Sequence, residues 1–325
     1  MYTLKDVAEK AGVTVTTVSR ILNNRGYIGD ATRKKVYRVM KELDYHPNQL
    51  ARSLSLKKTR VIGIIVPSLL HPYFCETVNY LEFYASREGY KVMLCNSNHQ
   101  EEKEHEYINM LKSNKVSGIV LSSRTENIEK ILPDDLPVIT FERVISNRIS
   151  SVSCDNFLGG ETATRYLLEI GCKNLLHISG THNILMPADA RRDAFVKVCE
   201  ESQIPYKIYN TVEAQFDSLD YEEYLEQIIQ ENPGIDGIFA SSDVIAAAVI
   251  SVCSKNNIRI PADIKLVGFD DTKLASLTTP KITTIRQPIE QMCKCAIDVL
   301  IRQVEEGYLP TKTVMSVALI KRESA

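Results

Sequence analysis

The chain has no run of ~18 apolar residues of the kind a membrane helix needs, so a membrane-spanning class is set aside. It also lacks the apolar stretch of a signal peptide at its start, where Lys5, Asp6 and Glu9 interrupt, and a cytoplasmic protein is expected. No CxxC pair occurs among its cysteines. Cys75, Cys95, Cys154, Cys172, Cys199, Cys253, Cys293 and Cys295 are scattered, and the last two, side by side but one on an expected helix, point to different faces. That usage argues against a thiol metal cluster or redox pair and fits reduced structural thiols, so neither metal nor cofactor is expected. What remains is ordinary for a globular protein, with 25% charged and 44% hydrophobic residues. The 325 residues exceed a comfortable single core of ~250 to 300, which predicts more than one domain.

The net charge of −2 conceals an imbalance. Residues 1–60 hold 13 Lys and Arg against 5 Asp and Glu, a balance of +8, and the remainder holds 26 against 36, or −10. A basic head on an acidic body points to a polyanionic partner for the head. Within that head, residues 3–23 read as helix, tight turn, helix. Thr3 and Asp6 are read as a capping box, Gly12 as the permissive residue of the turn, and Thr14 as the cap of the second helix. Val7, Ala8 and Ala11 face Val18, Ile21 and Leu22, so each short helix has one apolar side that only mutual packing buries. Val15, Thr16 and Arg20 are left pointing outward, as on a helix that enters the DNA major groove, where Arg pairs with guanine and small apolar groups touch thymine methyls. Asp30 is read as the cap of a third helix that closes the core with Val36, Met40 and Leu43, while Arg33, Lys34, Lys35 and Arg38 crowd its other side.

The run from Asp6-Val7-Ala8 through Thr17-Val18-Ser19-Arg20 to Pro47-Asn48 and Ala51-Arg52-Ser53-Leu54 resembles the DNA-binding head of the lac repressor family. The resemblance implies a hinge that becomes a short helix on operator DNA and inserts a leucine into the minor groove. Leu54 stands at that leucine's place, an apolar wedge that unstacks a base step for roughly a few kcal/mol. The DNA contacts expected from the resemblance are Thr3, Thr14, Val15, Thr16, Thr17, Ser19, Arg20 and Asn23 in the head, with Asn48, Ala51 and Leu54 in the hinge. It further implies a homodimer on a near-palindromic operator in double-stranded DNA. The chain stops at Lys321-Arg322-Glu323-Ser324-Ala325 without leucine heptads, so a tetramer is not expected.

Past residue 60 strands and helices alternate. Strands are expected at 61–66, 90–95, 118–121, 138–141, 175–178, 235–239 and 265–267, with another near Ser151, and helices at 73–88 and near 101–113, 159–170, 188–202, 218–231, 243–256 and 288–306. The resemblance makes this body an α/β core of the type I periplasmic-binding-protein fold, following a three-helix helix-turn-helix head and a hinge helix. The expected organisation is a head at 1–45, a hinge at 46–59 and a core at 60–325. Its N-subdomain spans about 60–158 and 288–318, and its C-subdomain about 159–287 and 319–325, with crossings near 158, 287 and 318.

Ligands in such folds gather at the carboxyl ends of the strands and between domains. Polar residues concentrate in those loops: Asp155-Asn156, Arg191, Ser242-Asp243 and Asp270-Asp271. Carboxylates and a guanidinium there suit a polyhydroxylated ligand, because each binds two vicinal hydroxyls at once. By resemblance Asp155, Arg191, Ser242, Asp270 and Gln287 stand where relatives contact an effector, with His71 and Tyr73 from His71-Pro72-Tyr73-Phe74. His71 departs from the commoner Asn. Asp243 and Asp271 read as helix caps instead.

Asn24-Arg25-Gly26-Tyr27, Phe141-Glu142-Arg143 and Ser153-Cys154-Asp155-Asn156-Phe157-Leu158-Gly159-Gly160 resemble the sucrose operon repressors of Gram-positive bacteria. The implied function is a repressor of a carbohydrate-utilisation operon, relieved by sucrose or a fructose-type sugar; a glycoside or a sugar phosphate also fits, although no Lys or Arg cluster demanding a phosphate is evident. Asp155, Arg191 and Asp270 would supply the difference in affinity between two states that an effector needs. Two other readings stay open. One is a glycosidase using Asp270 and Asp155 as its carboxylate pair, which lacks a nucleophile motif and leaves the head unexplained. The other is a regulator of the same family driven by a phosphocarrier protein.

Overall fold

The computed structural model describes residues 2–22, 25–45, 59–180, 184–307 and 309–325. The chain divides into two compact units at the Thr59–Arg60 boundary.

In the first unit α1 (Leu4–Ala11) starts on the Thr3–Asp6 capping box, with Thr3 N donating to Asp6 Oδ2 at 2.6 Å and Asp6 N donating to Thr3 Oγ1 at 3.4 Å. Gly12, at φ 61°, ends it in the left-handed region. Thr14 Oγ1 then accepts from Thr17 N at 3.1 Å and opens α2 (Val15–Leu22). The third helix, α3 (Asp30–Glu42), corrects one expectation: Gly29 holds the cap position, and Asp30 stands in the first turn, where its charge favours the helix N-terminus. Val7, Ala8, Ala11, Val18, Ile21, Val36 and Val39 form the buried core. Met40 and Leu43, expected inside, pack against its margin, and Val39 takes the central place.

The second unit carries two six-stranded sheets. The first has the order β11-β5-β4-β3-β1-β2, with β1 (Val61–Val66), β2 (Lys91–Asn96), β3 (Gly118–Leu121), β4 (Val138–Phe141), β5 (Ser150–Cys154) and β11 (Lys312–Met315). All its pairings are parallel. The second sheet has the order β12-β10-β9-β8-β6-β7, with β6 (Leu175–Ser179), β7 (Tyr206–Asn210), β8 (Gly237–Ala240), β9 (Lys265–Asp270), β10 (Thr283–Arg286) and β12 (Ala318–Ile320). Only β12 runs antiparallel to its neighbour. Central strands such as β1 and β9 are buried almost throughout, which is why they read as unbroken apolar runs.

Helices α4 (Pro72–Arg87), α5 (Glu101–Ser113) and α11 (Ile289–Glu306) cover the first sheet, while α6 (Asn156–Glu169), α7 (Ala190–Glu201), α8 (Glu213–Ser218), α9 (Glu222–Glu231) and α10 (Asp243–Lys255) belong to the second lobe. The chain passes between lobes after β5, between β10 and α11, and between β11 and β12. The helix expected near 218–231 is α9, and a short helix not expected from the sequence, α8, precedes it and ends where Leu219 adopts φ 58°. Among the described residues no helix is long and apolar enough to cross a membrane.

Candidate functional site

Two surfaces carry the expected chemistry. On α2, Val15, Thr16 and Arg20 are exposed while Val18 and Ile21 are buried, so three small or cationic groups share the outward face of a short helix. Thr3 and Thr14 are exposed, but their hydroxyls are engaged in capping, and Thr17 Oγ1 lies 2.9 Å from Thr14 Oγ1. Ser19 is half-buried beside them. The readings at Asn23, Asn48, Ala51 and Leu54 lie outside the described residues.

The second surface is a cavity of about 120 Å³ at the carboxyl ends of both sheets. That is several times the ~10–15 Å³ one water needs, so the space fits a small organic molecule. The first lobe supplies His71, Tyr73, Arg124 and Glu142, and the second supplies Asp189, Arg191, Phe216, Ser242 and Asp270; Gln287, at the second crossing, closes the wall. His71, the cap of α4, accepts from Tyr73 N through Nδ1 at 3.3 Å and stacks on Phe216 with ring centres 5.3 Å apart. Burial, with Arg124 and His99 nearby, pushes its imidazole down to about 4, so it is neutral near pH 7. Ser242 both faces the cavity and caps α10, accepting from Ile245 N at 3.3 Å.

Arg191 lies across the cavity floor. Its Nε donates to Asn156 Oδ1 at 2.7 Å, its Nη1 donates to the Ser241 carbonyl at 2.7 Å, and its guanidinium carbon stands 3.5 Å above the centre of the Phe269 ring. Asp270 Oδ1 is 3.9 Å from Arg191 Nη1 and accepts from Gln287 Nε2 at 2.7 Å. Glu142 accepts from Cys154 N at 2.5 Å and from Asn156 Nδ2 at 3.0 Å. Both carboxyl groups sit on left-handed backbone at strand ends, Glu142 at φ 54° and Asp270 at φ 110°, a strain that persists only because the surrounding structure holds it in place. Burial raises the Glu142 carboxyl against the pull of Arg191.

Burial pushes Asp270 up to about 7, opposed by Arg191 and the Gln287 amide and assisted by Glu142. The unfolded carboxyl ionises near 3.8. Between these values the folded state keeps a proton that the unfolded state has released, so the contribution of Asp270 to stability falls as pH rises from about 4 to about 7. Asp270→Asn removes that slope, and its stability relative to the parent is expected to rise by up to about 1.4 kcal/mol per pH unit through that window. Urea unfolding of both proteins at several pH values checks this; a difference that stays flat contradicts it.

Asp155 is corrected. It is not among the residues lining the cavity, because its Oδ1 caps α6 by accepting from Leu158 N at 2.9 Å, and the next residue, Asn156, turns inward instead. Asp243 and Asp271 are not caps. The buried Asp243 carboxylate accepts from Thr272 N at 2.7 Å and from Thr284 Oγ1 at 2.6 Å, and Asp271 is held between Arg286 and Arg322 at 2.6 and 2.5 Å. Arg124, Glu142, Asp189 and Phe216 were not picked out from the sequence as cavity residues. Glu142 directly follows β4, so the rule that ligands meet strand carboxyl ends was the signal that could have found it. Among the described residues no group of three or more His, Cys, Asp or Glu side chains is arranged to hold a metal ion.

Comparison with known proteins matches residues 3–48 to the family described as bacterial regulatory proteins, lacI family, and residues 164–325 to the periplasmic binding protein-like domain. The chain is 36% identical over 321 residues to the sucrose operon repressor of Streptococcus mutans, covering 99% of this chain and 98% of that one. It is 36% identical to the ribose operon repressor of Halalkalibacterium halodurans, covering 96% and 93%. A periplasmic binding protein/LacI transcriptional regulator from Alkaliphilus metalliredigens, solved in complex with D-xylulofuranose, superimposes with a TM-score of 0.72 at 31% identity, covering 82% of this chain and 99% of that one.

Proposed function

The chain belongs to the lacI family of bacterial regulatory proteins, and on that premise we propose that it represses a carbohydrate-utilisation operon and is released by a fructose-type sugar or sucrose. It is a DNA-binding repressor whose core binds a small sugar effector, and it is not an enzyme; the carboxylate-pair reading is dropped. The observation that carries the sugar reading is the cavity itself, where Glu142 from one lobe faces Arg191 and Asp270 from the other. Forked donors and acceptors on both walls suit vicinal hydroxyls. Two guanidiniums, Arg124 and Arg191, are set against three carboxylates, Glu142, Asp189 and Asp270, and this near balance favours a neutral sugar over a phosphorylated one. The sucrose-operon relative and the neighbour complexed with D-xylulofuranose, a ketose in furanose form, support a ketofuranose. The chain acts as a homodimer on a near-palindromic operator.

The test is fluorescence anisotropy of a labelled palindromic operator with the full chain, titrated with sucrose, fructose, ribose and their phosphates. Release by a neutral sugar is the expected result. Tight, salt-sensitive binding that no sugar disturbs would instead turn the reading toward a phosphocarrier partner. In the same assay Arg20→Ala is expected to weaken operator binding about 10- to 100-fold, the loss of ~1–3 kcal/mol from one base contact, and to relax preference at one base pair. An equal loss on operator and random DNA would make Arg20 a phosphate contact.

A further inference from the structure

Asn156 does not line the cavity, yet it is 3% exposed and both ends of its amide are bonded to groups that do. We propose that Asn156 is the joint that fixes the binding groups of the two lobes against one another, a positioning residue for Glu142 and Arg191 rather than a ligand contact; this deepens the sugar-binding reading and rests on it.

Asn156 occupies the first position of α6, directly after the chain leaves the first lobe. Its Oδ1 accepts from Arg191 Nε at 2.7 Å, while its Nδ2 donates to Glu142 Oε2 at 3.0 Å and to the Cys154 carbonyl at 3.1 Å. A guanidinium only donates, and a carboxylate and a carbonyl only accept. A primary amide of this length satisfies both sides at once. Aspartate lacks the donor, leucine lacks both functions, and glutamine is one methylene too long. The bonds continue. Arg191 lies 3.9 Å from Asp270, Asp270 accepts from Gln287, and Gln287 Oε1 accepts from Tyr73 OH at 3.5 Å. The line therefore begins in the first lobe at Glu142, enters the second at the first crossing, and returns to the first at Tyr73 through the second crossing. A rotation of the lobes that parts Glu142 from Arg191 must break the bonds of Asn156.

The experiment is a double-mutant cycle across the bond that links the lobes, on the full chain without sugar, comparing urea unfolding of the parent, Asn156→Ala, Glu142→Ala and the pair. The expected result is a coupling of about tenfold in the unfolding constant, because both single changes break the same bond. Additive effects overturn the proposal. A second arm measures D-fructose affinity by calorimetry for Asn156→Ala and for Leu111→Ala, a buried change in the outer core of the first lobe. Asn156→Ala is expected to bind about tenfold more weakly than Leu111→Ala, and equal affinities overturn the positioning role. Should Asn156→Ala fail to fold, Asn156→Asp serves in both arms, since it keeps the volume and the acceptor for Arg191 but sets a carboxylate against Glu142. A parent that binds neither D-fructose, sucrose nor ribose sinks the sugar reading, while the sugar-free cycle still decides whether Asn156 is the joint.

Discussion

Arg191→Ala is expected to abolish the response to sugar, with affinity falling at least about 100-fold, and to lower stability as well. Arg191 is 7% exposed, and removing its guanidinium strips partners from the Asn156 amide and the Ser241 carbonyl. It also removes the cation that pulls Asp270 and Glu142 toward their ionised forms, so both carboxyls rise further and present protons where carboxylates should accept hydroxyls. Breaking a buried, hydrogen-bonded charge set typically costs ~3–5 kcal/mol of stability, and truncating one partner of a buried charge pair at a binding surface costs ~2–5 kcal/mol, which sets the scale of the affinity loss. Arg191→Lys keeps the charge but not the fork, and an intermediate loss is expected. Operator release against sugar concentration, with melting followed in parallel, measures both effects. Full release by sugar in the alanine variant would remove Arg191 from the binding site.

This prediction depends on a residue that the sequence made visible, while its partners were less so. Arg191, Ser242, Asp270 and Gln287 stand at strand ends, helix starts or a crossing, where position alone implicates them. Asp155 and Asn156 share one such place, and the sequence does not tell which of two adjacent polar residues spends its side chain on the helix end. The structure gives Asp155 to the cap and Asn156 to the interior. Phe216 is hidden for a different reason: α8 is only six residues long, ends at the left-handed Leu219 and buries none of its residues, so it leaves no apolar periodicity to read. Among the strands, buried runs such as Val61–Val66 announce themselves, whereas β7, at a sheet edge, mixes exposed Lys207 with half-buried Tyr206 and Ile208. The short β11 and β12 have alternating or exposed faces and too few residues to signal a strand.

Gly160→Val is the second change expected to have a large effect, and it acts on Arg191 from behind. Gly160 lies inside α6 where that helix meets the start of α7. A β-carbon there would collide with the Arg191 carbonyl oxygen and come within 2.8 Å of the Arg191 Cα. The obstacle is backbone, which cannot swing aside as a flexible side chain could. The neighbouring Gly159 is constrained in the same way, since its β-carbon would come 2.6 Å from the Phe269 ring on which the Arg191 guanidinium rests. The pair of glycines therefore lets α6 approach both the backbone of Arg191 and the ring beneath it. Valine at 160 must push α6 and α7 apart, a cost of ~1–3 kcal/mol or more for overpacking. At about 2–4 °C per kcal/mol for a domain of this size, a fall in melting temperature of several degrees is expected. The same displacement carries Arg191 away from Asn156 and Asp270, so sugar affinity should fall with stability. Gly234→Ala separates this from a general effect of losing a glycine, because its β-carbon would meet only Asn174 Nδ2 at an ordinary 3.5 Å. That control is expected to melt and respond to sugar like the parent. If Gly160→Val did so too, the α6–α7 contact would not be what seats Arg191.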